Sequence, residues 1–348
     1  MKPRAKALFV AEDVGGCKAL IPVYKSFSAN HPARMVAGSA CRALFKGKVV
    51  HVMRSNQDRE ALLKRELAVF KPDLVVTCPG PWLLNLDKIA IRMAKESGIK
   101  SVGLIDYWMN YAARFSDVRT ENLAYVPDVI CAIDRDCARF LRKAGIASDR
   151  IFITGNPNLD GRKRIKAFAG KPQIAFFSQP FSELRRKDPG LASGLDEKIV
   201  FKDVLDALDA AGVAGDVVIK HHPRTVDAKI FNAIAKGSKR KITVDTKTSS
   251  DALIAKCDLV IGMNSMVLFE AALAGKPVLS YQPGLKNKDP LRSNRTGLTI
   301  PVYAKKNLLP ALEAINDRDK TKKREAVRRR FVDAGATKKV MNVILNIV

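Results

Sequence analysis

Short apolar runs that alternate with amphipathic stretches constrain this chain more than any other feature. Ala7-Leu8-Phe9-Val10-Ala11, Val49 to Met53, Pro72 to Thr77, Ser101 to Ile105, Val129 to Ile133 and Ile151 to Thr154 read as strands, with helices predicted over 17–27, 58–70 and 84–97. A strand that is apolar at every position has no face to offer to water, so such runs call for a parallel sheet covered by helices on both sides. The pattern restarts at Gln173 to Phe177 and continues through strands at 216–220, 241–244, 258–262 and 277–281, with helices at 196–211, 228–236, 249–256 and 265–274. Between the two series, Thr154-Gly155-Asn156-Pro157-Asn158 has the turn chemistry of a linker. Helices over 305–316 and 320–332 precede a terminal stretch from Lys338 to Val348. Two doubly wound α/β domains facing each other across a cleft, 1–155 and 156–348, are the economical architecture.

A length of 348 residues suits two domains. No apolar run approaches the ~20 residues of a membrane-spanning helix. The basic start Met1 to Lys6 leads into an apolar stretch that ends at Glu12-Asp13, too soon for a signal peptide, and a cytoplasmic protein is expected. The six cysteines include no C-x-x-C pair, so buried thiols are expected rather than a metal site or a disulfide framework. Sixty-one Lys and Arg against 35 Asp and Glu leave a net charge of +26, carried by both halves. Such a field attracts nucleic acid, anionic lipid or phosphorylated substrates. Residues 318–330 hold eight basic side chains against two acidic ones, beside Val327, Phe331 and Val332. That helix is expected either to lie on an anionic membrane surface or to present a solvated face. Nucleic acid is not an expected partner, because no RNA-binding signature or basic-aromatic interleaving is present. Asp134-Arg135-Asp136 and Asp317-Arg318-Asp319 introduce predicted helices and read as caps, with no metal site expected.

Three strand ends of the second domain collect polar residues: Ser178-Gln179-Pro180, His221-His222-Pro223-Arg224 and Gly262-Met263-Asn264-Ser265. Open α/β sheets bind ligands at the carboxyl ends of their strands, so the three runs are expected to converge on one crevice. Lys220, His221, His222 and Arg224 suit a diphosphate, and a helix beginning near Ser265 adds free N–H groups and a positive dipole end. One packed and one solvated histidine is the plain alternative, as is simple capping by Ser265. Glu270 follows on a largely apolar helix, where a carboxylate needs a partner such as a ribose diol unless the turn is exposed. In the first domain, Glu12-Asp13-Val14-Gly15-Gly16 follows the first strand, and its acidic pair offers a general base or a strand-end cap. Asp106-Tyr107-Trp108-Met109-Asn110-Tyr111 follows another, as a sugar-stacking platform or a packed aromatic cluster.

The run Cys257 to Ser265, with Glu270-Ala271-Ala272-Leu273-Ala274-Gly275-Lys276-Pro277-Val278 behind it, resembles the donor-site segment of GT-B-fold glycosyltransferases, bacterial surface-polysaccharide enzymes in particular. Ile219 to Pro223 is similar to the His-Pro motif of bacterial sialyltransferases and CDP-glycerol glycerophosphotransferases, in which the histidine contacts donor phosphate. Phe152 to Pro157 resembles the hinge seen also in hydrolysing UDP-N-acetylglucosamine 2-epimerases. The resemblance spans mainly residues 150–285. It implies two Rossmann-like domains in the GT-B arrangement, a nucleotide-activated sugar or polyol phosphate as donor, no separate cofactor, and a glycan or lipid-linked acceptor. Donor contacts are implied for Ser178, Gln179, His221, His222, Arg224, Asn264, Ser265 and Glu270, with an acceptor-side loop at Gly15 and Gly16. Catalysis would use Asp13 or Asp106 as base and His222 at the departing phosphate, without metal. Where the epimerases carry His-Gly-Asp this chain has Cys78-Pro79-Gly80-Pro81, and Leu104-Ile105-Asp106-Tyr107-Trp108 replaces their His-x-Glu-Ala-Gly, which favours transfer over epimerisation. A sugar-nucleotide epimerase and a non-catalytic polyanion-binding protein are the alternatives.

Overall fold

A computed structural model describes residues 4–44, 49–52, 56–81, 84–165, 170–187, 194–222, 229–286, 288–332 and 335–348. The chain forms two compact units, Met1–Gly161 with Asp333–Val348, and Arg162–Val332.

The first unit runs β1 (Ala7–Ala11), α1 (Val14–Ser28), β2 (Ala33–Gly38), β3 (Val49–Val52), α2 (Asn56–Phe70), β4 (Leu74–Thr77), α3 (Leu86–Glu96), β5 (Lys100–Leu104), β6 (Val129–Ala132), α4 (Arg135–Lys143) and β7 (Ile151–Ile153). All its strand pairs are parallel, in the order β3-β2-β1-β4-β5-β6-β7. The apolar run of β1 is buried at every position because the sheet is covered twice. Ala7, Phe9 and Ala11 join Leu20, Val23 and Phe27 on one face, while Leu8 and Val10 meet Leu63, Leu86, Ile89 and Met93 on the other.

The second unit runs β8 (Gln173–Phe177), α5 (Phe181–Lys187), α6 (Glu197–Ala210), β9 (Asp216–Lys220), α7 (Asn232–Lys236), β10 (Ile242–Asp245), α8 (Ser250–Lys256), β11 (Leu259–Gly262), α9 (Met266–Leu273), β12 (Val278–Tyr281), α10 (Arg292–Thr296), β13 (Ile300–Val302), α11 (Leu308–Glu313) and α12 (Arg318–Val332). Its parallel sheet has the order β10-β9-β8-β11-β12-β13. Phe176, Phe201 and Phe231 form the centre of its core, with ring centroids 4.8 to 6.1 Å apart.

The last helix, α13 (Ala336–Ile347), belongs to the first unit, not to the 156–348 segment expected from the order of the sequence. Burial gives the reason: Val340 and Ile344 are fully buried in the same cluster as Leu20 and Val23 of α1. The N–H groups of Ala336 and Thr337, at the start of α13, donate to the Asp160 carboxylate at 2.8 and 2.6 Å. Residues 156–161 stay with the first unit as well, since the Asn156 side chain donates to the Asp106 carbonyl at 2.9 Å. All six cysteines are buried. Asp134 and Asp317 do cap helices, accepting from the N–H groups of Cys137 at 2.8 Å and Lys320 at 2.9 Å.

Candidate functional site

In each sheet the direction of winding reverses once, between β1 and β4 and between β8 and β11, and such switch points open a crevice at the strand carboxyl ends. At the second switch the register is level: Phe177 pairs with both Lys220 of β9 and Gly262 of β11. The chain therefore leaves three adjacent strands at one height, which brings Ser178-Gln179, His221-His222 and Met263-Asn264 to one edge. Gly262 permits this spacing, because a Cβ there would lie 2.9 Å from the Phe177 carbonyl oxygen. Gln179 and Asn264 close the gap with a reciprocal pair: the Asn264 N–H donates to Gln179 Oε1 and Gln179 Nε2 donates to Asn264 Oδ1, both at 2.9 Å.

Ser265 caps α9, its hydroxyl accepting from the Val267 N–H at 3.4 Å, so the amino end of that helix opens onto the same edge. The two histidines differ. Both are half-buried, but the ring of His221 stacks on Phe231 of the core at 5.5 Å, and His222 is the next residue out along the strand-end run. Arg224 lies outside the described residues. Glu270 is buried, and the partner its burial demands includes Arg162, with Nη2 3.5 Å from Oε1.

A polar network not anticipated from the sequence supports this edge. Asp289 Oδ2 accepts from Gln282 Nε2 at 3.0 Å, Asn294 Nδ2 at 2.7 Å and the Tyr303 hydroxyl at 2.6 Å. Ser280 accepts from the same two amides and donates to the carbonyl of Met263, the residue before Asn264. Buried amides with every donor satisfied hold one geometry, so the network fixes the backbone at the head of α9. Burial and the Asp289 carboxylate both push the Tyr303 phenol above its ordinary value.

At the switch of the first unit, Asp13 and Asp106 approach one edge. A Cβ on Gly15 would stand 2.7 Å from Asp106 Oδ2, and one on Gly80 would collide with the Asp13 carboxylate. Gly16 packs as closely, with 2.9 Å from a would-be Cβ to the Cys78 carbonyl oxygen. Asp106 is ion-paired to Arg114, Nη1 to Oδ1 at 2.8 Å, and Arg114 also donates to the carbonyls of Pro79 at 2.9 Å and Met109 at 3.0 Å. Asp13 is exposed. Beneath them, buried Asp87 accepts from the N–H groups of Glu12 and Cys78, both at 3.0 Å, and ties the ends of β1 and β4 to α3. Burial pushes the Asp87 carboxyl well above its ordinary range. The aromatic run does not form an open platform: Trp108 is buried with its indole N–H on Asp134 at 2.9 Å, and Tyr111 stacks on Phe140 at 5.5 Å.

Lys88 of α3 is fully buried and donates to the carbonyls of Ala113 at 2.9 Å and Ser116 at 2.7 Å. Burial pulls its ammonium from 10.5 down to about 8. The folded state therefore releases this proton before the unfolded state does, and stability gains as pH rises from 8 towards 10.5. Burial pushes the thiols of Cys131, Cys137 and Cys257 up to about 12, which works in the opposite direction above pH 9. Comparison with Lys88→Met cancels the thiols. Urea unfolding at rising pH should show the wild type gaining on the variant by about 1–2 kcal/mol across the window, and a constant difference would contradict this.

The basic helix α12 is only partly a surface. Arg328 is buried, donating to the Leu273 carbonyl at 2.6 Å and the Arg162 carbonyl at 2.8 Å, and Phe331 packs edge-on against Phe269 at 4.9 Å. Val332 is buried too, and Phe331 is half-buried against Phe269, so both side chains pack within the unit. Lys320, Lys322, Lys323, Arg329 and Arg330 remain exposed. Among the described residues no helix is long and apolar enough to cross a membrane.

No family model matches the chain, and no curated protein does. Solved structures do resemble it over its whole length. UDP-GlcNAc 2-epimerase from Neisseria meningitidis, bound to UDP-GlcNAc, aligns at TM-score 0.70 and 16% identity over 98% of this chain and 100% of that one. MnaA of S. aureus with UDP aligns at 0.73 and 15% over 99% and 98%. The lipopolysaccharide outer core galactosyltransferase WaaB aligns at 0.58 and 16% over 99% and 100%. The chain thus has the two-domain α/β GT-B fold.

Proposed function

We propose that this chain is a GT-B glycosyltransferase that moves a sugar or polyol phosphate from a nucleotide-activated donor to a surface-glycan acceptor. The observation that carries the reading is the level edge of the second unit, where Gln179, His222, Asn264 and the amino end of α9 meet. N–H donors and a positive helix end there suit the departing diphosphate. Structural neighbours captured with UDP and UDP-GlcNAc support a nucleotide-sugar ligand. In this reading His222, Arg224 and the helix end at Ser265 stabilise the leaving phosphate, and Glu270 meets the ribose from its pairing with Arg162. The first unit supplies the base: Asp13 takes the acceptor proton, while Asp106, engaged by Arg114, positions the loop at Gly15 and Gly16. The exposed cations of α12 suit an acceptor carried on anionic lipid, met at the cytoplasmic face. Epimerisation is the second reading, favoured by TM-scores of 0.70 and 0.73 against 0.58 for the galactosyltransferase.

Thermal-shift titration with CMP, CDP, UDP and GDP tests the donor class, since a ligand of the folded state raises its melting temperature. One nucleotide should stabilise selectively. His222→Ala should then weaken the diphosphate roughly 10- to 100-fold, the equivalent of about 1.5–3 kcal/mol for a charged phosphate hydrogen bond, and leave the nucleoside unaffected. Equal loss for both would remove His222 from the phosphate site. Product analysis separates the two reactions: conversion of UDP-GlcNAc without an acceptor marks an epimerase.

A further inference from the structure

A charged cavity lies in the Arg162–Val332 unit at the edge opposite Gln179 and Asn264. Asp258 precedes β11 and Pro277 precedes β12, and because these strands are parallel, both mark the amino-terminal edge of the sheet. There the end of α9, the segment at Arg164 and α12 enclose about 750 Å³. Four cationic side chains line it, Arg164, Lys276, Arg324 and Arg328, against two carboxylates, Asp258 and Glu325.

Arg328 is committed to the wall, bonded to two carbonyls and, at 3.2 Å, to Glu325. The other three cations keep donors in reserve. Lys276 is 7% exposed, yet its ammonium makes a single long hydrogen bond, 3.4 Å to the Ala255 carbonyl, and no ion pair among the described residues. Asp258, its acidic neighbour, accepts from the Gln173 N–H at 3.1 Å. Arg324 uses only Nη2, on the Ile315 carbonyl at 2.9 Å and Thr321 at 2.8 Å. Arg164 makes no hydrogen bond or ion pair among the described residues. Its stem crosses Gly275, where a Cβ would stand 2.5 Å from Arg164 Cγ, and this close approach keeps the guanidinium by the cavity.

Three like charges around one space repel, and a buried ammonium that meets its acidic neighbour Asp258 only through space, without an ion pair among the described residues, is costly. Burial holds both Lys276 and Arg324 below their ordinary values. An anion rich in acceptor oxygens would answer all three cations at once. The volume exceeds what a bare phosphate needs and leaves room for a polyol or a sugar ring.

We propose that this cavity binds a free phosphorylated small molecule, a sugar or polyol phosphate, through Arg164, Lys276 and Arg324. The site is independent of the donor reading. Calorimetric titration of the full chain with glucose 1-phosphate, at constant ionic strength set by chloride, should give saturable one-to-one binding that saturating UDP does not displace. Arg164→Gln and Arg324→Gln should each weaken it roughly tenfold or more, and Lys276→Met should abolish it. Arg164 is exposed, so its variant keeps the fold and its melting temperature verifies this. Absence of saturable binding, displacement by UDP, or unchanged affinity in the Arg164→Gln, Arg324→Gln double variant would overturn the proposal. So would phosphatidylglycerol vesicles binding with the same dependence on Arg164 while glucose 1-phosphate does not bind, since the ligand would then be a lipid headgroup.

Discussion

Deleting residues 333–348 is expected to unfold the first unit, although every strand of its sheet is retained. The deletion uncovers the part of the apolar cluster that α13 covers beside α1. Val340, Ile344 and Ala336 are fully buried there, with Met341, Val343 and Ile347 packed partly around them. At about 1.5–3 kcal/mol for each large apolar side chain withdrawn from water, the loss is roughly 5 kcal/mol or more, comparable with the whole stability of an ordinary domain. It also strips Asp160 of the two N–H groups that satisfy its carboxylate. Circular dichroism and limited proteolysis should find residues 4–161 unfolded and cleaved in the truncated chain. A protected first unit would mean that α13 only rests on the sheet.

Replacing Arg114 with Met should cost about 3–5 kcal/mol, the second-largest effect expected. Arg114 is 4% exposed, and its guanidinium ties Asp106 and Met109, in the segment after β5, to Pro79, in the segment after β4. Its removal leaves the Asp106 carboxylate without its counter-charge, and breaking one side of a buried pair is worse than never having built it. The Asp106→Asn, Arg114→Met double variant should therefore recover part of the loss, which chemical denaturation of the full cycle reads as a coupling energy. Strict additivity would show that Arg114 acts through its carbonyl bonds alone.

Much of this architecture was legible in the chain because buried parallel strands cannot disguise themselves. β1 and β11 carry no polar side chain, β4 and β8 carry one each at a strand end, Thr77 and Gln173, and the polar runs after β8, β9 and β11 stand out against them. β2 escaped notice because Ala33-Arg34-Met35-Val36-Ala37-Gly38 contains a cation and weak strand formers. Only the fold shows Arg34 paired with Glu66 at 2.9 Å and lying over Phe70. β13 escaped too, since Ile300-Pro301-Val302 is short and proline is tolerated only because the strand is an edge. Within the site, the residues that could not be read are those whose meaning is a distant partner. Arg114 sits in a single 3-10 turn and Arg162 and Asp289 in irregular segments, none long enough to show periodicity, and only tertiary contact supplies Asp106, Glu270 and Tyr303.

The return of α13 to the first unit also bears on how the protein is made. A ribosome releases the polypeptide from its amino end, and domains ordinarily close in that order. Here Arg162–Val332 is continuous and can close as soon as it has emerged, whereas the older Met1–Gly161 must wait for Asp333–Val348. The unit synthesised first is thus the last to be completed, and it spends the whole translation of its neighbour with the apolar surface that α13 later covers, beside α1, open to water.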